Sequence, residues 1–67
     1  MSTIRVNGKD EPLAVPTVAE LLQLRGIVRP RGVAVALNGA VVPAGSWRET
    51  RLAGGDVVEI VRPFGGG

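Results

Sequence analysis

The 67-residue sequence predicts an α+β fold in which a mixed sheet wraps over one helix. Three observations carry this. Two Asn-Gly dipeptides, Asn7-Gly8 and Asn38-Gly39, each lie between β-type segments. A single capping-box sequence, Thr17-Val18-Ala19-Glu20, opens a short amphipathic stretch. A strand-like segment at positions 57–62, with four β-branched residues among its six, closes the series. The order is therefore hairpin, helix, then further strands. A helical crossover after a hairpin normally returns to its sheet with right-handed chirality, and the simplest architecture has the first and last strands as central neighbours.

Each element has its own local cause. Ile4 and Val6 alternate with Thr3, Arg5 and Asn7, the period-2 pattern of a half-buried strand. Asn7-Gly8 tolerates positive φ and predicts a tight hairpin turn. Residues 9–15 form the expected return strand. Pro12 lacks a backbone N–H, so that strand belongs at an edge or is short and irregular. Thr17 caps the helix, Val18, Leu21, Leu22 and Arg25 follow at helical spacing, and Gly26 is the natural stop, with Pro30 soon after. The helix is thus two to three turns, by the repeat of about 3.6 residues.

Residues 33–37 read as a buried strand with Val33, Val35 and Leu37 on one face and two alanines on the other. Asn38-Gly39 turns the chain into Val41-Val42-Pro43. Residues 44–52 lack clean periodicity and predict a loop with a short helical turn, where Trp47 packs as a lid over one end of the core. Gly54-Gly55-Asp56 is the turn into the last strand. There Val58 and Ile60 share one face, and Val57, Glu59 and Val61 the other.

Composition narrows the function. A chain this short is one domain with a small core, burying about 60% of the surface its unfolded form exposes. It contains no cysteine and no histidine, which excludes disulfides, Cys/His zinc sites and Ser-His or Cys-His catalytic pairs. No apolar run approaches membrane-spanning length and no signal-peptide pattern is present, so a cytoplasmic, membrane-free protein is expected. Seven arginines and one lysine against six acids give a net charge of +2, with both signs spread along the chain. Arg25, Arg29 and Arg31 form the sole basic cluster, read as a solvated loop that could also dock an acidic partner. With Trp47 and Phe64 the only aromatics, the chain lacks the basic stripe and stacking platform of a nucleic-acid module. Gly54-Gly55 is too short for a phosphate-binding loop and lacks the Lys-Ser/Thr that would follow. The acids Asp10, Glu11, Glu20, Glu49, Asp56 and Glu59 read as turn, cap and surface residues.

Two features remain for function. The sequence finishes on Phe64-Gly65-Gly66-Gly67 directly after the last strand segment. Glycine has no Cβ, so such an end threads through a narrow channel and offers an unhindered carboxylate for conversion by ATP to an acyl-adenylate. Glycine-rich ends also occur simply as frayed termini, and the tail alone fits both readings. The second feature is Val57 and Val61 on the strand face that one helix cannot cover. They read either as a docking surface or as ordinary β-branched propensity.

Taken in order, these residues resemble the small sulfur carriers of the ThiS type. The resemblance spans essentially the whole chain. It rests on the Asn7-Gly8 hairpin, the helix Thr17-Val18-Ala19-Glu20-Leu21-Leu22, and Ala36-Leu37-Asn38-Gly39. Val42-Pro43, Trp47, Leu52, Gly55-Asp56 and the final Gly66-Gly67 complete it. It implies a ubiquitin-like β-grasp domain over residues 1–62 with a flexible tail at 63–67. It also implies a carrier acted on by partner enzymes, not itself an enzyme and binding no cofactor of its own. An E1-like adenylating enzyme using ATP and Mg would activate Gly67, and a persulfide sulfur donor would convert it to a thiocarboxylate. Thiazole synthase would then take the sulfur for the thiazole ring of thiamine. Gly66 and Gly67 match the family's functional pair; Gly65 lies just outside it, and Phe64 would steady the tail in partner channels. Related carriers serving molybdopterin or cysteine synthesis share these marks. A β-grasp interaction module with an inert tail, or a modifier joined to lysines, is the alternative of another class.

Overall fold

The computed structural model describes residues 2–27 and 31–62. Five strands and one helix follow the expected order: β1 (Thr3–Val6), β2 (Lys9–Pro12), α1 (Val18–Leu24), β3 (Ala34–Leu37), β4 (Ala40–Val42) and β5 (Val57–Val61). A single 3-10 turn, Ala44–Ser46, lies between β4 and β5. The strands form one sheet in the order β2-β1-β5-β3-β4. β1 and β5 pair in parallel at its centre, and the remaining pairs are antiparallel. This mixed sheet over one helix is the ubiquitin-like β-grasp arrangement.

Both hairpins turn on their Asn-Gly pair. Asn7 and Gly8 have φ of 51° and 84°, and Asn38 and Gly39 have 51° and 86°. Positive φ at both central residues is the type I′ geometry whose twist matches the flanking strands. The return strand β2 stops at Pro12, short of the expected residue 15. Leu13 donates one more bond to the Ser2 carbonyl, and regular pairing then ends. As expected for a strand carrying proline, β2 lies at an edge.

The helix is closed at both ends. Thr17 Oγ1 accepts the Glu20 N–H at 3.2 Å, which is the forward half of the capping box. The return half differs from expectation: the Glu20 carboxylate accepts from the Thr17 hydroxyl at 3.1 Å instead of from its backbone N–H. The other free N–H groups of the first turn, on Val18 and Ala19, donate to the carbonyls of Thr50 and Trp47. The loop after β4 therefore serves as a backbone cap for the helix. At the far end Ile27 donates to the Leu22 carbonyl and Gly26 to that of Gln23, with Gly26 at φ 76°. This is a Schellman ending, and the positive φ explains the glycine.

Val18, Leu21 and Leu22 are buried against the inner sheet residues Ile4, Val6, Val35, Val58 and Ile60. Leu37 packs against this cluster but is only half-buried, because β3 ends there in its turn. Trp47 and Leu52 close the end of the core beside the helix N-terminus. The Trp47 indole N–H donates to the Val42 carbonyl at 2.8 Å, satisfying the polar edge of the ring as it is buried.

Candidate functional site

The two parts of the expected site fall differently in the structure. Phe64, Gly65, Gly66 and Gly67 lie outside the described residues. Val57 and Val61 are placed on one exposed face, the outer side of the sheet, away from α1. They retain 42% and 63% of their accessible surface. The alternation of β5 puts Glu59 between them, while Val58 and Ile60 point into the core.

Strand register defines the rest of this face, because residues directly opposite one another share a side of the sheet. Val61 stands opposite Ala34 and Glu59 opposite Ala36, which is itself opposite Val41 on β4. Val41 is 77% exposed. The two alanines keep the face low between its valines, so the surface is a shallow apolar strip with one carboxylate near its middle. On the other flank Val57 stands opposite Arg5, and Arg5 opposite Asp10. The Arg5 guanidinium donates to the Asp10 carboxylate at 2.9 Å, and this hydrogen bond, with the attraction of the opposite charges, raises its already high pKa. A depression of about 200 Å³ beside it is lined by Thr3, Ile4, Arg5, Asp10, Gly55 and Val57. That is below the size of pockets that enclose small-molecule ligands, and apart from the buried Ile4 its walls are exposed residues.

The basic cluster takes a different form from the solvated loop expected. Arg25 is the helix C-cap residue and forms an ion pair with Glu11 on β2, tying the helix end to the sheet edge. Arg31 is exposed, and Arg29 and Pro30 lie outside the described residues. Sequence reasoning also missed the asparagine side chains. Asn7 Oδ1 accepts the Ile60 N–H at 2.7 Å and its Nδ2 donates to the Ile60 carbonyl at 3.2 Å. At the opposite end of β5, Asn38 Oδ1 accepts the Val57 N–H at 2.9 Å, and its Nδ2 donates to Asp56 at 3.0 Å. Both turn residues thus grip the strand that leads to the glycine tail. The only signal for this was the asparagine itself, which a glycine could have replaced for φ alone.

A β-grasp domain whose last strand runs from the centre of the sheet toward a Gly-Gly sequence defines a class of small ubiquitin-like proteins. The comparisons resolve the family within it. The ThiS family matches residues 4–67, and the chain belongs to that family. The crystal structure of the thiamine biosynthesis protein ThiS from Geobacter metallireducens is 32% identical, with a TM-score of 0.78, covering 97% of this chain and 99% of that one. The solution structure of a thiamine biosynthesis protein from Geobacter metallireducens is 33% identical with the same TM-score of 0.78, covering 100% of this chain and 88% of that one. Among curated proteins none matches in sequence. No helix of the described residues is long and apolar enough to cross a membrane.

Proposed function

We propose that this chain is a cytoplasmic sulfur carrier of thiamine biosynthesis, with residues 1–62 as the recognised domain and 63–67 as the reactive tail. The observation that carries the reading is the family match, which extends through Gly66-Gly67. An E1-like enzyme adenylates the Gly67 carboxylate with Mg-ATP. A persulfide then displaces AMP to form an acyl disulfide with Gly67. A second partner thiol attacks the donor's sulfur of that disulfide, ending as a mixed disulfide with the donor and releasing the thiocarboxylate that thiazole synthase consumes. The chain supplies the carboxylate and the docking surface, and its partners supply the catalysis. Incubation with the adenylating enzyme, Mg-ATP and a sulfur donor is expected to replace one oxygen of Gly67 by sulfur, read by intact-mass spectrometry on the C-terminal peptide. An isopeptide to lysine would make the chain a protein modifier, and an unchanged mass would leave only an interaction module.

Val57 and Val61 supply the docking contact in this reading. They bracket Glu59, so the partner surface that fits is apolar with a cation facing that carboxylate. Changing Val61 to Arg sets a long cation beside Ala34 without touching the core, and changing Val57 to Arg adds a second cation beside Arg5. Each substitution is expected to shift folding stability by no more than about 0.5 kcal/mol, as for exposed positions generally. Affinity for the adenylating enzyme should fall about tenfold, the scale of a lost interface contact worth more than 1 kcal/mol. Unchanged affinity of both variants in a direct binding titration would remove the docking face from the proposal.

A further inference from the structure

The parallel ladder between β1 and β5 stops early. Arg5 donates to the Asp56 carbonyl and Asn7 to that of Val58, and the chain then swings into the Asn7-Gly8 turn. Ile60 sits two residues further along β5 with no β1 backbone beside it. In a parallel pair its N–H and C=O would each be met by the neighbouring strand. Instead one side chain meets both, since the Asn7 amide presents an acceptor and a donor in the plane of a peptide group. The orientation of that amide is fixed by Ile60, whose N–H can only donate. On the other side β3 holds Val35 opposite Ile60 and Ala34 opposite Val61. Asn7 is therefore the last grip on the β1 side of the strand before Arg62.

We propose that Asn7 is a positioning residue for tail transfer: its side-chain amide replaces the missing β1 backbone beside Ile60 and sets the direction in which the chain leaves β5 toward Gly67. This rests on the carrier reading. The domain docks by its outer sheet face, so the path of the last strand decides where the Gly67 carboxylate arrives relative to ATP. Releasing Ile60 from one side leaves docking intact and makes the enzyme select the productive exit direction from more alternatives. Asn38 provides the control, because its amide oxygen accepts the Val57 N–H at the end of the same strand remote from the tail, while its Nδ2 donates to the Asp56 carboxylate and not to a strand carbonyl.

The test compares Asn7→Gly with Asn38→Gly. Glycine accepts the positive φ of both turns, so each variant loses its clamp while keeping its hairpin. Adenylation of the chain by the E1-like enzyme with Mg-ATP is measured at varied carrier concentration. For Asn7→Gly, kcat is expected to fall about tenfold with KM within twofold of the unaltered protein. That loss corresponds to about 1.4 kcal/mol, the order of the backbone freedom lost in fixing one residue. For Asn38→Gly both constants stay within twofold. Should Asn7→Gly fail to fold, Asn7→Asp retains the acceptor for the Ile60 N–H and loses the donor to its carbonyl, and the same fall in kcat is expected. Equal kcat for the two glycine variants, or an unaltered kcat in Asn7→Gly or Asn7→Asp, overturns the proposal. Amide hydrogen exchange separates this outcome from failure of the carrier reading. In Asn7→Gly the Ile60 amide should exchange at least tenfold faster relative to Val58, and in Asn38→Gly it should not. If the unaltered chain accepts no adenylate, the carrier reading fails and the transfer role falls with it. Unchanged Ile60 protection refutes the clamp whatever the enzyme does.

Discussion

Deleting Gly67 is expected to abolish thiocarboxylate formation by at least a hundredfold while leaving the thermal unfolding of the domain unchanged. Among the described residues the core runs from Ile4 to Ile60, and Gly67 has no side chain to add to it. Adenylation, however, requires the carboxylate to reach the α-phosphate of ATP within about 3–3.5 Å, the separation of a productive attack. Each residue of extended chain spans at most about 3.3–3.6 Å. A tail shorter by one residue therefore stops about one full reaction distance short of its target. Misplacement by even about 1 Å can cost a hundredfold. Extending the chain beyond Gly67 with an uncleaved tag should be equally damaging, because the carboxylate then becomes an internal amide. Intact-mass spectrometry after incubation with the adenylating enzyme, Mg-ATP and a sulfur donor reads both variants. A tail-extended protein that still supported thiazole formation in a thiamine-requiring host would overturn the assignment of Gly67. Rescue of molybdenum-cofactor synthesis without rescue of thiamine synthesis would keep the chemistry and move it to another pathway.

The parts of this fold that were legible in the sequence are those with a local cause. The hairpins followed from Asn7-Gly8 and Asn38-Gly39, because positive φ at two successive residues is a property of the dipeptide. The helix start and stop followed from Thr17 and Gly26, and the edge position of β2 from Pro12. The outward placement of Val57 and Val61 needed only the two-residue period of a strand. What stayed hidden depends on residues far apart in the chain. The grip of Asn7 on Ile60 joins positions separated by 53 residues, and no pattern in either segment announces it. The same holds for the Thr50 and Trp47 carbonyls that complete the helix cap. Residues 44–52 read as an aperiodic loop because their order comes from bonds to α1 and not from repeating side chains. The end of β2 was misjudged for a related reason. Leu13 and Val15 are apolar enough to extend a strand, but they pack against the core from outside the sheet.

The small size of this core makes truncation of Leu22 a large loss for folding. Leu22 retains 2% of its accessible surface and sits where α1 crosses the sheet. It also supplies the carbonyl that accepts Ile27 in the Schellman ending, so it lies at the junction of helix packing and helix termination. Replacing it with alanine removes buried methyl groups and leaves a cavity that the short elements around it can close only in part. The expected loss is about 2–5 kcal/mol. A domain of this length has total stability of only about 3–10 kcal/mol. Leu22→Ala should therefore unfold at a much lower urea concentration, and is unfolded at room temperature if the unaltered domain lies at the low end of that range. Leu24, two residues on and 63% exposed, provides the contrast within the same helix. Its alanine variant should stay within about 0.5 kcal/mol of the unaltered protein, since it surrenders little burial and alanine favours helix. Urea unfolding of both variants, followed by circular dichroism, measures the difference. Equal midpoints for Leu22→Ala and Leu24→Ala would mean that the α1–sheet contact does not hold this fold together.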